Sequence, residues 1–491
     1  MFEFLGSCSS SKAAPHPRLL AMLGIGSLVL LFTFMSTAQT VSVVHSFDSS
    51  NASQFPAGTP AQGRDGKLYG TAVGQTSGSV FRLTASGQFD QLFALSGTNG
   101  LNPSSGVTLA SDGNFYGTTP FGGSAGQGVL FKVTPSGTYT VLHEFAGGAD
   151  GGNAEGPPIQ ASDGNLYGTT HGLPGASTVY KYTPSRTYSV IATFSGTQGL
   201  ALVGPLLQGS DGNLYGTASQ GGAHSFGTIF KMTRAGTVLG SYSFTGGRDG
   251  ANPTGGLIQA NDGNFYGMAG GGGQYSFGTI FKVTPKVAVS TLYSFQGGPG
   301  DGGFPDLGLT QGTDANLYGT TISGGENGFG TLFQISTSGT YKLLYSFQAA
   351  TGEVAATALL QHTNGTFYGT AAQGGANNDG TVFSLDMGLG PFITFVRAIG
   401  RVGQPVQILG QGLTGTTSVT FNGIPATSFS IVRDTYMTAV VPTGATTGPV
   451  MVTTPIGTLT SNRNFRVIGT APSATRAESV QRRVSRSGTP K

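Results

Sequence analysis

One phrase, Asp-Gly-Asn-Leu-Tyr-Gly-Thr, recurs seven times along the chain in close copies. They stand at Asp65–Thr71, Asp112–Thr118, Asp163–Thr169, Asp211–Thr217, Asp262–Met268, Asp314–Thr320 and Asn364–Thr370, with steps of 47, 51, 48, 51, 52 and 50 residues. Self-similarity at a fixed period of this size demands a repeat architecture, in which each unit buries its apolar face against the next. Two other phrases keep the same period. Gly-Thr-Ile-Phe-Lys-Val and its variants occupy Gly78–Leu83, Gly128–Val133, Ser177–Tyr182, Gly227–Met232, Gly278–Val283, Gly330–Ile335 and Gly380–Leu385. A run ending in Leu-Tyr-Ser-Phe occupies Val289–Phe295 and Tyr341–Phe347, with weaker copies at Val41–Phe47, Phe89–Leu95, Tyr139–Phe145, Tyr188–Phe194 and Val238–Phe244. A looser apolar segment precedes each Asp-Gly pair, as in Gly204–Gln208 and Gly256–Ala260.

Each unit thus holds four short β-branched and aromatic runs separated by turn residues, and Asp-Gly between two such runs is a strong hairpin signal. Four strands per unit of this length describe the blades of a β-propeller. The Leu-Tyr-Ser-Phe run appears once before the first Asp-Gly phrase and is missing after Leu385. The chain's first strand can therefore complete the last blade and remove the open sheet edges that invite aggregation. The expectation is an all-β fold: a seven-bladed β-propeller over 41–387, closed by the N-terminal strand.

Of 491 residues 84 are glycine. They recur at fixed repeat positions beside aromatic and aliphatic residues, which fits tight turns and close packing. Leu19–Met35 is apolar, with Lys12, His16 and Arg18 before it and Ser36-Thr37-Ala38 after it. This is the pattern of a secretory signal over 1–38, cut after Ala38, so the chain is expected to be exported to the cell surface, the periplasm or the medium. An uncleaved anchor is the alternative reading of the same 17 residues, which are borderline for a span; that is the one membrane contact expected. Cys8, the only cysteine, would leave with the signal. The net charge of +3 divides into +1 before Ala38, +4 from Thr470 onward and −2 between them. A near-neutral body argues against a nucleic-acid surface.

From Pro391 the period stops and short alternating runs follow: Pro405–Leu413, Ser418–Gly423, Met437–Pro442, Gly448–Thr454 and Asn464–Val467. Their spacing is that of a small β-sandwich. The region 391–467 resembles the IPT/TIG family of immunoglobulin-like domains through its Gly-Gln-Gly-Leu turn, its Val-Thr-Phe-Asn-Gly strand end, its Val-Pro-x-Gly-Ala turn and its closing Phe-Arg-Val strand. That resemblance implies a spacer or partner-contact module without catalysis. Residues 470–491 are Ser/Arg-rich, lack aromatics and read as a disordered basic tail.

Chemistry is sparse. The six Asp-Gly aspartates suit hairpin turns, and Asn364 serving in the seventh copy favours a turn over an acid. Asp150, Asp249 and Asp301 lie in Gly-Gly-x-Asp-Gly loops, where calcium is the one conceivable cofactor. No copy has the D-x-D-x-D-G spacing of a calcium loop, so loop geometry is the expectation. His45 and His143 stand where other copies have tyrosine, His362 precedes a turn, and His171 and His224 lack a second histidine at ligand spacing. No G-x-S-x-G, Walker loop or H-E-x-x-H occurs. The loops from second to third strand are long and variable: Phe121–Gln127, Gln220–Phe226, Gly270–Phe277, Ser323–Phe329 and Gln373–Asp379. Variable loops on a rigid ring are where binding concentrates, which makes Phe121, His224, Phe226, Tyr275, Phe277 and Phe329 the candidate ligand face.

The ordered set of phrases over Val41–Leu385 resembles the GloVer tandem-repeat family of secreted bacterial proteins. The family carries no established reaction. Its members commonly have a C-terminal surface anchor, but 470–491 contains neither a hydrophobic segment nor a sortase-type motif, so anchoring there is not expected. The leading expectation is an exported, non-enzymatic binding or scaffold protein for an extracellular glycan or protein. The alternatives are a polysaccharide lyase or glycoside hydrolase, which needs two carboxylates converging at the ring's mouth, and a structural surface or adhesion component.

Overall fold

Each Asp-Gly phrase closes its hairpin by the same local bonds. In the fourth repeat Asn213 N donates to Asp211 Oδ1 at 3.0 Å, and the Tyr215 hydroxyl donates to Oδ2 at 2.8 Å. The tyrosine bond recurs at Asp65, Asp112, Asp163, Asp262 and Asp314. In the seventh copy Asn364 Nδ2 donates to the Tyr368 hydroxyl instead. The aspartates are therefore turn-formers clamped to their own hairpin.

The structure is a computed structural model that describes residues 39–49, 54–74, 77–172, 176–355 and 357–470. The signal expected over 1–38 and the tail beyond Thr470 lie outside them. Seven four-stranded antiparallel sheets follow one another, one per repeat. In the fourth, the strands run in order Leu207–Gln208, Leu214–Ala218, Thr228–Met232 and Val238–Ser243. The seventh contains Leu360–Gln361, Phe367–Ala371 and Thr381–Asp386, and its fourth strand is Thr40–Ser46, paired from Thr40↔Asp386 to Ser46↔Thr381.

The second strand of every sheet carries the Tyr-Gly pair, and its glycine is dictated by a neighbour. A Cβ on Gly216 would stand 2.5 Å from Phe230 Cζ on the third strand. The equivalent positions in the other sheets meet an aromatic ring or Leu257 at 2.3–2.7 Å. Removing the side chain lets that ring lie flat on the backbone and fill the core. The adjacent tyrosine bridges to the next sheet: Tyr69 stacks on Phe115 at 3.9 Å and Tyr215 on Phe265 at 4.1 Å.

Two polar series join neighbouring sheets. The threonine after Tyr-Gly donates to a carbonyl of the next inner segment, as from Thr71 to Ser105 O at 2.7 Å and Thr217 to Gly255 O at 2.9 Å. The same bond runs from Thr370 of the seventh sheet to Gly58 O of the first at 3.2 Å. A glutamine on six of the seven inner strands accepts from the preceding sheet's turn: Ser111 N to Gln160, Ser162 N to Gln208, Ser210 N to Gln259, Asn261 N to Gln311, Thr313 N to Gln361 and Thr363 N to Gln62, all at 2.7–3.0 Å. Such a bond contributes on the order of 1 kcal/mol. The second sheet has Leu109 at that place, so the seam between the first two sheets lacks the clamp.

The C-terminal region forms two further four-stranded sheets. One holds Thr394–Phe395, Pro405–Leu409, Tyr436–Val440 and Phe429–Arg433; the other holds Ile424–Pro425, Ser418–Phe421, Val450–Thr454 and Gly457–Thr460. They share a core that includes Phe395, Ile408, Met437, Phe421 and Val452. Ile399–Val402 pairs in parallel with Arg466–Thr470 beside them. This module does not hang from a linker. It lies on the Asp-Gly turns: the Thr435 hydroxyl donates to Arg64 O at 2.7 Å, Gln411 Nε2 to Thr363 Oγ1 at 3.0 Å and Gln407 Nε2 to Ser111 O at 2.7 Å. Arg64 donates to the same Ser111 carbonyl at 2.7 Å, with its guanidinium 4.6 Å from the Tyr436 ring centre. The module thus fastens at the seam where the glutamine clamp is missing.

Candidate functional site

The inner strands are only two residues long in most sheets, and glycine, proline and alanine lead into them. So little side-chain volume leaves the centre unfilled. A cavity of about 990 Å3 runs there, lined by the inner segments of all seven sheets. Phe395, Arg397, Arg463 and Arg466 of the module line its turn end. The opposite end faces the loops from second to third strand. Those loops are bridged to the loops entering each inner strand, Leu101 with Phe121 and Leu200 with Gln220 among them, so both sets open on one face, as the sequence implies.

Four charged residues line the cavity: Glu155 and the three module arginines. Arg463 keeps an exposed surface toward the cavity, while the protein packed around its guanidinium lowers its pKa by burial. Its guanidinium donates from Nη2 to Phe395 O at 3.3 Å. Burial also lowers the Arg397 pKa, an effect the Asp163 charge opposes, although Asp163 is already paired with Arg234 at 2.9 Å. Among the described residues none of the three arginines forms an ion pair.

At the loop end, the residue two places before each inner segment has a left-handed backbone in every sheet, with φ of 49–57° at Phe55, Asn102, Asn153, Ala201, Asn252, Phe304 and Val354. Asparagine adopts this conformation cheaply, whereas β-branched Val354 is strained in it. The residue two positions further on is Ala57, Ser104, Glu155, Val203, Thr254 and Asp306 in the first six sheets. Two of these are acids. Burial pushes the Asp306 carboxyl above its usual range; the Thr254 hydrogen bond opposes this and the Glu155 charge adds to it. His171 Nδ1 lies 3.4 Å from Glu155 Oε1.

The candidate face read from the sequence lies elsewhere on the loops. Phe121, Phe226 and Tyr275 are 47%, 42% and 45% exposed, and His224 is exposed. Phe277 and Phe329 are half-buried: Phe277 covers Gly297 and tilts against Phe304 at 5.4 Å. None of the six lines the cavity. The second aspartate series closes loops. Asp249 accepts from the Tyr242 hydroxyl and Thr245 N, Asp301 from the Tyr293 hydroxyl and Gln296 N, and Asp150 from Ala146 N. His143 stacks on Tyr188 at 3.6 Å and His45 on Phe89 at 4.5 Å. Among the described residues no three His, Cys, Asp or Glu are grouped to share a metal ion.

The repeat signature extends beyond the sheets' shared pattern to a known family. The Gloeobacter/Verrucomicrobia repeat matches residues 24–206 and again 203–429. The chain belongs to that family. The two tandem matches make it a repeat protein, and among solved structures it is similar to BP39L lectin from Burkholderia pseudomallei. The two are 12% identical over 70% of this chain and 99% of that one, with a TM-score of 0.51. The periplasmic gluconolactonase PpgL of Pseudomonas aeruginosa aligns at 15% identity over 66% of this chain and 97% of that one, with a TM-score of 0.42. The gluconolactonase XC5397 of Xanthomonas campestris aligns at 13% identity over 62% and 90%, with a TM-score of 0.38. The likeness to the BP39L lectin places the all-β fold among propeller-type structures and carries no chemistry. No curated protein matches the chain.

Proposed function

We propose that the chain is an exported, non-enzymatic binding protein: a closed seven-bladed β-propeller with an Ig-like module of the IPT/TIG type seated on its turn face. In this reading an extracellular ligand, a glycan or an exposed part of a protein, enters the central cavity from the loop face, and Phe121, His224, Phe226 and Tyr275 form an outer rim. The observation that carries the proposal is the cavity of about 990 Å3, which has charged groups at its two ends and a module covering one of them. Cavities of roughly 300–1,000 Å3 with a few placed polar groups are the usual form of small-ligand sites. Glycan-array binding by the purified protein tests it: retention of a defined set of glycans is the expected result, and no retained glycan, together with no captured protein fragment, defeats it.

One observation favours a second reading, a polysaccharide-acting enzyme. At the mouth, burial raises the Asp306 carboxyl above its usual range and the Glu155 charge adds to the rise. A carboxylic acid raised above its usual range, with a second carboxyl in electrostatic reach, is the starting arrangement of an acid–base pair. Release of reducing ends from an array-positive glycan, abolished in both Glu155→Gln and Asp306→Asn, would favour the enzyme. Binding without turnover would exclude it for that glycan.

A further inference from the structure

We infer that the cavity is a site for a small oxyanion-bearing ligand, and that the C-terminal module supplies its recognition through Arg397, Arg463 and Arg466. The inference rests on the binding reading above and narrows its ligand class. It starts from how charge is distributed. Residues 39–390 hold twelve Lys and Arg against eighteen Asp and Glu, a net −6, whereas 391–470 hold five Arg against one Asp, a net +4. Of those five arginines, Arg397, Arg463 and Arg466 line one cavity, whereas Arg401 and Arg433 lie outside it.

Enclosing unpaired guanidinium groups is unfavourable, because each loses hydration without gaining a counter-charge. Elsewhere this chain supplies partners: Arg82 meets Asp90 at 2.7 Å and Arg234 meets Asp163 at 2.9 Å. In the cavity the polar contacts of Arg397 and Arg463 are carbonyls, Ala161 O at 3.5 Å and Phe395 O at 3.3 Å, which leave most of their donors open. Guanidinium forks match carboxylate, sulfate and phosphate oxygens, so an anion at this end would recover the missing partner. The other end differs. Glu155 lines the wall there, and Asp306, three sheets further round the same loop-end ring, feels its charge. Acids repel a second anion and accept hydroxyl hydrogens. The ligand that satisfies both ends carries one oxyanion on a hydroxylated body, which is the chemistry of an acidic sugar.

Glucuronate and glucose test this directly, since they differ only in the carboxylate. Calorimetric titration of the purified protein should show glucuronate binding at least roughly tenfold tighter than glucose, with the preference weakening as salt is raised. Arg463→Gln and Arg466→Gln should each loosen glucuronate by about tenfold and leave glucose unchanged. Arg463→Lys, which keeps the charge and loses the fork, should fall between. Arg401→Gln, an exposed arginine of the same module, should behave as wild type, and unchanged melting of each variant separates lost binding from lost folding. Equal affinity for the two sugars, no glucuronate binding, or the same loss in Arg401→Gln as in Arg463→Gln overturns the inference. If a neutral glycan binds and Arg463→Gln leaves it untouched, the binding reading survives and this one fails. If neither sugar nor any glycan binds, both fail.

Discussion

In the repeat sheets, most acids are engaged within a few residues of themselves. Asp211 accepts from Asn213 and Tyr215 and pairs with Lys231 at 2.8 Å; burial pushes its carboxyl up, but those bonds outweigh it and hold the pKa at about 2. Asp249 is held by Tyr242 and Thr245 in the same local way. In the C-terminal module, charge is used at long range. Three arginines drawn from its first and last segments reach a cavity walled by another part of the chain. The difference separates two jobs. Local charge defines hairpins and is satisfied within a repeat or by its neighbour, whereas the three cavity arginines of the module form no ion pair among the described residues.

The comparison can be broken at either side, beginning with the largest effect. Gly216→Leu forces a side chain into the Phe230 ring and should cost about 3 kcal/mol in urea unfolding, the upper end for overpacking. A much smaller cost would mean the sheets are looser than their repeated pattern implies. Arg64→Ala removes the bond to Ser111 O and the stack on Tyr436, for about 2 kcal/mol. Limited proteolysis should then cleave first around 387–391, because the module has lost its fastening. Gln208→Ala leaves Ser162 N without its acceptor, for about 1 kcal/mol, and should leave cleavage at 387–391 unchanged, since that clamp belongs to the ring alone.

Two smaller effects sharpen the picture at the mouth and in the core. The folded pKa of Asp306 lies above its unfolded value of 3.8, so ionising it in the folded state opposes folding as pH rises through that window. Asp306→Asn should therefore melt higher than wild type at pH 7, and the gain should vanish below 3.8, where both states are protonated. An unchanged difference at acid pH would show that the effect is not electrostatic. Tyr180 replaces the phenylalanine of the other third strands, and its buried hydroxyl has no partner. Tyr180→Phe should stabilise by up to about 1 kcal/mol in the same unfolding assay.

The repeats were legible because their bonds are local and periodic. The hairpins, the strand order and the pairing of the first strand with Thr381–Asp386 follow from copies of one pattern, and the shared face of the variable loops follows from strand count. The glutamine clamp stands in the sequence as a column, Gln62, Gln160, Gln208, Gln259, Gln311 and Gln361, each three residues before the aspartate of the turn or, in the seventh copy, before Asn364. Glu155 and Asp306 were visible in principle as the only acids in a column of Ala, Ser, Val and Thr, but the inner segments are too loose to align by eye. The arginine cluster had no such signal. Arg397 and Arg466 are far apart in the chain, and their meeting depends on how the module sits on the turns, which no local pattern encodes. Of the aromatic loop residues, Phe277 and Phe226 cover the backbone of Gly297 and Gly246, and Phe329 packs against the core.

The pairing of Thr40–Ser46 with Thr381–Asp386 also sets the order of events in folding. Ser42 and Ser384 touch across 342 residues of chain, so the strand made first finds its partner only after the last repeat exists. Until then that segment must wait as an unpaired edge, and so must the final three-stranded sheet. Loop closure over such a span adds an entropic term that grows only logarithmically with length, but contacts this remote slow the search. The six sheets complete within their own repeats can form in succession, and closing the circle should be the slow, concerted last step.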